Sequence, residues 1–489
     1  KQCLVLIPEI VLSNYFMDRF VERFNFLPAL WHSDVSKKNK HRTWRQILNG
    51  ELKVVIGARS ALFLPFKNLS LIVVDEEHDT SYKQEDGVIY NARDMAVVRG
   101  RFSNSKVILG SATPSLESIY NAKIGKYYKI LLSERYGSAK MPEINLVDMQ
   151  KEKLPSNKWI AQESINAIKK ALDNNEQVLL YINRRGYSPL TLCRSCGHRF
   201  SCPNCSSWLV EHRKTNILLC HHCGYQEKKP DECPSCNSKE EFAPCGPGVE
   251  RLAAEAKSLF PNARLEIIAS DTLNSNDKAE NIFKTISNGE VDIIVGTQLI
   301  AKGHNFLNLT TVVAVDADLG LSGGDLRASE RTFQMLTQLA GRAGRANKKG
   351  HAYIQSYDSN HNVMQAIQTG NIKSFIKAES EGREFRKLPP YGRLASLIIQ
   401  SSNLLKLENF LKLVSSKIPK KYIHSDRIDV LGPAPAPIAK LRTFYRYRFL
   451  LKSKDDTRIQ PFIKEWLRNI KLPNGIRIKI DIDPYNFLY

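Results

Sequence analysis

At 489 residues, 42% of them hydrophobic and 25% charged, the chain has the balance of a globular protein of about three domains, which excludes disordered and fibrous classes. The 71 Lys and Arg against 50 Asp and Glu leave a formal net charge of +21, which suits a polyanionic partner, although a lysine-rich solvated surface gives the same excess. No apolar run approaches the roughly 18 residues needed to cross a bilayer, so a membrane partner is not expected.

From the opening Lys1, "KQCLVLIPEI" enters a strand-like run with no cap or leader, so a native beginning further upstream is expected. Over residues 1–148, short β-branched runs alternate with amphipathic stretches: "CLVLIPE", "LKVVIGAR", "LSLIVVDEEH" and "SKVILGSATP". Each run ends in a polar or glycine-bearing turn. That is the pattern of a parallel α/β sheet with functional residues at the carboxyl ends of its strands. A connector over 150–158, a helix over 161–175, a strand "EQVLLYIN", and then "ARLEIIAS", "VDIIVGTQ" and "TTVVAVDADLG" predict a second α/β lobe, 149–192 and 246–385. A cysteine-rich insert, 193–245, interrupts it after its first strand. The remainder, 386–489, begins at "FRKLPPYGRLASLIIQSS" and reads as a small α/β carboxyl-terminal domain.

Eight of the ten cysteines lie in "CRSCGHRFSCPNC" and "CHHCGYQEKKPDECPSC", as the knuckles Cys193/Cys196, Cys202/Cys205, Cys220/Cys223 and Cys233/Cys236. Disulfides belong to small exported chains, whereas a C-x-x-C turn brings two thiolates to one ion. Eight thiolates therefore predict two tetrahedral zinc sites, with His198, His221 and His222 as spectators. The short spacer between Cys196 and Cys202 argues against pairing the first two knuckles, and spacing leaves nested and crossed pairings open.

In "VVDEEH", Asp75 and Glu76 are adjacent carboxylates at a strand end, where helix-capping acids are the bland alternative. "ILGSATP" puts a small hydroxyl-bearing turn after another buried strand, and "IIVGTQLIAKGHNF" does the same in the second lobe. "QLAGRAGR" spaces Gln338, Arg342 and Arg345 at i, i+4 and i+7, which predicts one helical face able to fork onto phosphate.

Taken in order, these stretches resemble the superfamily 2 helicases and, more narrowly, the bacterial primosomal replication-restart helicase family. "GARSALFLPF", "DEEHDTSYKQ", "NRRGYSP", "GPGVERL", "RASERTFQMLTQLAGRAGR" and "GPAPAPIAKLRTFYRYRFLL" extend the resemblance over essentially the whole chain. It implies an α/β fold of two RecA-like lobes, a two-zinc insert in the second lobe and a small α/β terminal domain. The implied activity is ATP-dependent 3′-to-5′ unwinding of DNA at stalled forks, with initiation of primosome assembly. Another superfamily 2 translocase, or a non-catalytic zinc-containing DNA-binding scaffold, stays open as an alternative. Forked and single-stranded DNA, other primosome proteins and single-strand-binding protein are the implied partners, in a bacterial cytoplasm.

The resemblance also assigns roles. Asp75 would hold magnesium and Glu76 would deprotonate the attacking water, with ATP contacted by Gln338, Arg342 and Arg345. Glu77 and His78 would couple hydrolysis to DNA, and Gly110, Ser111, Ala112 and Thr113 would link the lobes. The loop 79–93 resembles an aromatic-rich DNA sensor. There Tyr82 and Tyr90 would stack on bases, and Lys83 and Arg93 would contact phosphate. Arg59, Arg184, Arg185 and Thr297 are further candidates for DNA-backbone contact. For zinc the resemblance implies nested pairing: Cys193, Cys196, Cys233 and Cys236 on one ion, and Cys202, Cys205, Cys220 and Cys223 on the other. The family's phosphate-binding loop lies before "LVLIPEI", so this chain is expected to hydrolyse ATP poorly by itself. Asn305 and Gly323–Gly324 depart from the family's usual residues.

Overall fold

The computed structural model describes residues 1–8, 14–132, 141–152, 154–155, 158–182, 190–193, 195–198, 200, 203, 209–212, 217–219, 225–239, 242–245, 248–268, 276–297, 306–321, 325–344, 348–419, 427–441, 443–453 and 458–485. Among the described residues no helix is long and apolar enough to cross a membrane. The chain divides into two compact units, the first built on Lys1–Lys129 and the second beginning at Ile130.

In the first unit, the four runs read as strands join a fifth, Ala29–Trp31, which the sequence pattern does not announce, in one parallel sheet. Its spatial order is Ala29–Trp31, Val54–Gly57, Gln2–Leu6, Leu69–Val74, Lys106–Leu109. Leu4, Leu6, Val55, Ile72 and Val74 bury their side chains in its core, the β-branched packing that parallel strands favour. Leu6 lies opposite Val74, so two strand ends emerge side by side. The helix Lys37–Asn49 starts where Ser36 accepts from the Asn39 N–H, and it stops at Gly50, whose φ of 79° only glycine adopts cheaply.

The second unit contains a six-stranded parallel sheet. Its order is Leu265–Ile268, Ile293–Gly296, Gln177–Ile182, Leu309–Val315, His351–Ser356, Glu143–Asp148. The central strands Gln177–Ile182 and Leu309–Val315 are buried along their full length. Side chains alternate between two cores. Leu179, Tyr181, Val312 and Ala314 face one, and Val178, Leu180, Ile182, Val313 and Val315 face the other, as the two-residue period of a strand requires. The edge strand Glu143–Asp148 corrects the expected boundary at 148. It pairs in parallel with His351–Ser356, so the first lobe ends before it.

The insert is a five-stranded antiparallel sheet, ordered Gln226–Lys228, Ile217–Leu219, Val210–His212, Leu190–Cys193, Phe242–Cys245. Its sheet thus begins at Leu190, slightly before the expected start. The terminal domain is a four-stranded antiparallel sheet, ordered Ile428–Leu441, Phe444–Ser453, Arg393–Ser401, Ile476–Ile482. The helices Leu404–Ser416 and Ile459–Leu467 cover it, packing Phe410, Phe462 and Trp466 onto Leu397, Ile399 and Phe449.

Candidate functional site

Asp75 and Glu76 stand where the strand Leu69–Val74 of the first unit runs out. Asp75 still donates its N–H to the Leu6 carbonyl at 2.9 Å, so its backbone belongs to the sheet. Glu76 then turns sharply, with φ of 47°, a left-handed conformation that costs a non-glycine residue about 1–2 kcal/mol. Backbone hydrogen bonds close the turn. The Glu76 N–H donates to Asp75 Oδ1 at 3.0 Å. Asp79 N–H donates to the Glu76 carbonyl at 2.8 Å, and Glu77 N–H to the Gly110 carbonyl at 3.0 Å. Burial pushes the Asp75 carboxyl above its ordinary range, against the opposing pull of the Glu76 N–H and His78.

Tyr82 supports this turn from beneath. Its hydroxyl lies 2.6 Å from the Asp75 carbonyl and 3.0 Å from the Leu6 carbonyl, bridging the two adjacent strand ends. Burial first, then the four surrounding carboxylates, raise its pKa and keep the hydroxyl a donor. With 1% of its surface exposed, Tyr82 has no face to offer a base. Lys83 at 6% and Arg93 at 3% are equally enclosed. These positions correct the expectation that Tyr82, Lys83 and Arg93 contact DNA from an open loop. Arg59 holds the same loop, donating to the carbonyls of Ser81 at 3.0 Å and Lys83 at 3.2 Å. The exposed aromatic face nearby is Phe63, stacked edge-on against Tyr90 with ring centres 5.1 Å apart.

The carboxylate turn is bonded to the "SATPS" segment. His78 Nδ1 and Ser111 Oγ share a 2.7 Å hydrogen bond, and Thr113 Oγ1 is 3.5 Å from His78 Nε2. Glu77 is buried and accepts from the Ser115 N–H at 2.7 Å and the Ser115 hydroxyl at 2.9 Å. Arg93 Nη1 donates to Ser115 Oγ at 2.7 Å and lies 3.4 Å from Glu77. Ser115 is a site residue that the motifs do not announce. Its one signal is a capping position, since its Oγ also accepts from the Ser118 N–H at the start of the helix Leu116–Lys123.

In the second unit, the helix Ala328–Ala340 carries Gln338 near its end, and Arg342 lies beyond it. This corrects the single helical face drawn through Gln338, Arg342 and Arg345. Gly344, at φ 65°, turns the backbone so close to Gly350 that a Cβ there would sit 2.2 Å from its nitrogen. The Gly344 N–H donates to the Leu309 carbonyl at 3.0 Å, tying the turn to the sheet. Gln338 and Arg342 are half-buried. Thr297, at the end of the strand Ile293–Gly296, is 4% exposed, and its hydroxyl has no hydrogen-bond partner among the described residues. Arg184, Arg185, Asn305, Gly323, Gly324 and Arg345 lie outside the described residues.

The thiolates of Cys193, Cys196, Cys233 and Cys236 come together with all four sulfurs within 4.8 Å of one another. Cys193 and Cys236 are 3.6 Å apart, and Cys196 and Cys233 are 3.7 Å apart. A zinc–sulfur bond of about 2.3 Å in a tetrahedron gives an edge of about 3.8 Å, so the cluster has the size of a zinc site. The two knuckles are built alike. Gly197 donates to the Cys193 carbonyl and Asn237 to the Cys233 carbonyl, each at 2.8 Å. Both take left-handed φ, 74° and 56°. Hydrogen bonds from Ser238 hold the Cys236 thiol down at about 6, while burial pushes Cys196 up to about 12. Four adjacent thiolates repel, and a dication removes that conflict. His198 stacks edge-on against Phe200 at 5.3 Å, as a spectator does. Cys202, Cys205, Cys220 and Cys223 lie outside the described residues. The first knuckle rests on the second lobe, since a Cβ on Gly197 would meet Tyr357 Cβ at 3.1 Å.

Four family models match the chain: DEAD/DEAH box helicase over residues 1–122, PriA DNA helicase Cys-rich region domain over 202–228, helicase conserved C-terminal domain over 238–347, and primosomal protein N C-terminal domain over 385–485. Among similar curated proteins, the replication restart protein PriA of Rickettsia conorii is 48% identical over 487 residues, 100% of this chain and 74% of that protein. That of Rickettsia felis is 47% identical over the same coverage. The Bacillus subtilis protein of the same name is 37% identical over 496 residues, 99% of this chain and 60% of that protein.

Proposed function

The chain belongs to the PriA family of replication restart DNA helicases, and from that premise we propose that it drives 3′-to-5′ unwinding of forked DNA by ATP hydrolysis and initiates primosome assembly in the bacterial cytoplasm, with other primosome proteins and single-strand-binding protein as partners. The observation that carries the reading is the closed carboxylate turn at the end of the strand Leu69–Val74, held in a strained left-handed conformation by bonds to Gly110 and Asp79. Strain kept in place by surrounding bonds is a mark of a working site.

In this reading Asp75 holds magnesium, and Glu76 orients the attacking water and takes its proton. Magnesium, when bound, offsets negative charge on the phosphates. Burial of Asp75 fits a carboxylate reserved for a cation, because the ion repays the cost of ionising it there. Gln338, Arg342 and Arg345 contact the phosphates, where guanidinium groups stabilise developing charge. Glu77 and His78, bonded to Ser115 and Ser111, pass the state of the nucleotide to the "SATPS" segment. For DNA, we assign Arg184 and Arg185 to the backbone and the exposed Phe63, with the half-buried Tyr90 beside it, to stacking; Arg59 braces the loop, and Thr297 is as enclosed as Lys83 and Arg93 and is not assigned to DNA.

We divide the chain into a first lobe ending before residue 143, a second lobe from there to 385 interrupted by the insert, and a terminal domain beyond. The insert binds two zinc ions. Cys193, Cys196, Cys233 and Cys236 take one, and Cys202, Cys205, Cys220 and Cys223 take the other. The matched stretch 202–228 contains the two middle knuckles and neither outer one, which supports nested pairing.

In the full-length protein, Glu76→Gln should lower ATP turnover by about 10²–10⁴-fold and leave nucleotide affinity largely intact, because the amide keeps the shape and cannot take a proton. Turnover near the parent rate would remove Glu76 from the chemistry.

A further inference from the structure

The helix Ala328–Ala340 ends beside Gln338 and Arg342, and its beginning is held by an unusual set of buried charges. Arg327, Glu330 and Arg383 are 5%, 5% and 4% exposed. Glu330 Oε2 lies 2.9 Å from Arg383 Nη2 and 3.5 Å from Arg327 Nη1. Arg383, from the helix Ile372–Phe385, also donates to Glu379 at 2.9 Å and to the Pro389 carbonyl at 3.3 Å. Phe333 and Phe375 stack between the same two helices at 4.2 Å.

The terminal domain completes this anchor. Tyr485, at the end of the matched stretch 385–485, is 7% exposed, and its ring lies under the Arg327 guanidinium at 4.3 Å. Its carbonyl accepts from Arg331 Nη2, and Arg331 Nη1 pairs with Asp325 at 2.6 Å. One residue of the terminal domain therefore touches Arg327 and Arg331 at the first turn of this helix. At the far end, the Gly344 N–H on the Leu309 carbonyl fixes the turn that carries Arg342.

We propose that Tyr485 is a positioning residue for ATP hydrolysis: by clamping Arg327 and Arg331 it fixes the axis of the Ala328–Ala340 helix and so the direction in which Gln338 and Arg342 reach the nucleotide. The proposal rests on the assignment of Arg342 to the nucleotide made above. Anchoring the first turn as well as the far end limits how far the helix can tilt. The helix has 13 residues and spans about 20 Å, so a tilt of about 3° moves its far end by about 1 Å. Displacements of that size at a reacting centre can cost up to about 10²-fold in rate. A planar guanidinium stacked on a ring resists such tilting better than a flexible ammonium does.

The test is DNA-stimulated ATP turnover in the full-length protein, with kcat and KM for ATP measured separately and thermal unfolding followed in parallel. Tyr485→Ala is expected to lower kcat about tenfold with KM for ATP held within about two-fold. Tyr485→Phe should keep the parent rate, because it retains the ring face and the backbone carbonyl that make the clamp. A kcat within about two-fold of the parent in folded Tyr485→Ala overturns the proposal. So does a loss in Tyr485→Phe equal to that in Tyr485→Ala. If Tyr485→Ala does not fold, Arg327→Lys decides. It keeps a positive charge toward Glu330 and loses the stacking plane, and the same selective loss of kcat is expected, with unchanged kcat overturning the clamp. Arg342→Ala separates the two levels of inference. Unchanged turnover there overturns the assignment of Arg342 itself, while loss there beside an unaffected Tyr485→Ala overturns only the clamp.

Discussion

The carboxylate turn and the thiolate cluster are both compact collections of acidic groups, and they are held together in opposite ways. Around Asp75 and Glu76 the protein supplies the partners: the Tyr82 hydroxyl on two carbonyls, Ser115 on Glu77, Ser111 on His78, and Arg93 behind them. Around Cys193, Cys196, Cys233 and Cys236 the chain supplies two backbone turns and one serine, and leaves four sulfurs facing one another. The first is organised before any ligand arrives, and the second is organised by its ion. Preorganisation serves chemistry, because groups that need not move cost nothing at the moment of reaction. A structural ion serves folding, because its binding energy is the energy of the local fold.

The contrast is broken most severely by removing a thiolate. Cys196→Ser takes one ligand from a closed site and should lower zinc content by about one ion per chain, unfolding the strand Leu190–Cys193 and the turn at Cys233. DNA-stimulated ATPase of the full-length protein should survive while unwinding falls, as measured on a forked duplex. Parallel loss of both activities in an otherwise folded protein would place the insert within the ATPase machinery.

Next in size is Arg93→Ala in the first unit. Glu77 is 2% exposed, so the substitution strands a buried carboxylate and should cost about 3–5 kcal/mol in denaturant unfolding. A cost below about 1 kcal/mol would show that Arg93 is a surface contact after all.

Tyr82→Phe sharpens the same comparison with a smaller effect. It keeps the ring and removes the hydroxyl that bridges Leu6 and Asp75, so a loss of about 1–2 kcal/mol in stability is expected, with reduced ATP turnover. A ring that stacked on bases would tolerate phenylalanine. Full activity and stability in Tyr82→Phe would therefore restore the DNA-sensor role to Tyr82.

Part of this site is legible along the chain. Strands ending in "DEEH" and "SATP" announce themselves through β-branched runs followed by polar turns, and C-x-x-C spacing is a local property of the ligand geometry. Tyr82 reads as an exposed loop residue because "DTSYKQ" is polar along the chain, whereas its burial depends on carbonyls of two strands, one of them 76 residues away. The strand Glu143–Asp148 carries no local sign that its partner begins at His351. Periodicity carries a helix through "QLAGRAGR" too far: the helix stops at Ala340 with Gly341 as its cap, and beyond it Gly344 turns the backbone against Gly350, a contact that exists only in the folded chain. In each case the missing information is a pairing that only the folded backbone makes.

Hydrogen exchange measured with and without a zinc chelator tests the contrast most directly. The account predicts that amide protection over Leu190–Cys193 and Phe242–Cys245 collapses when zinc is removed, while protection over Leu69–Val74 and the turn through Asp79 is unchanged. Protection retained in the insert without zinc, or lost from both regions together, would contradict it.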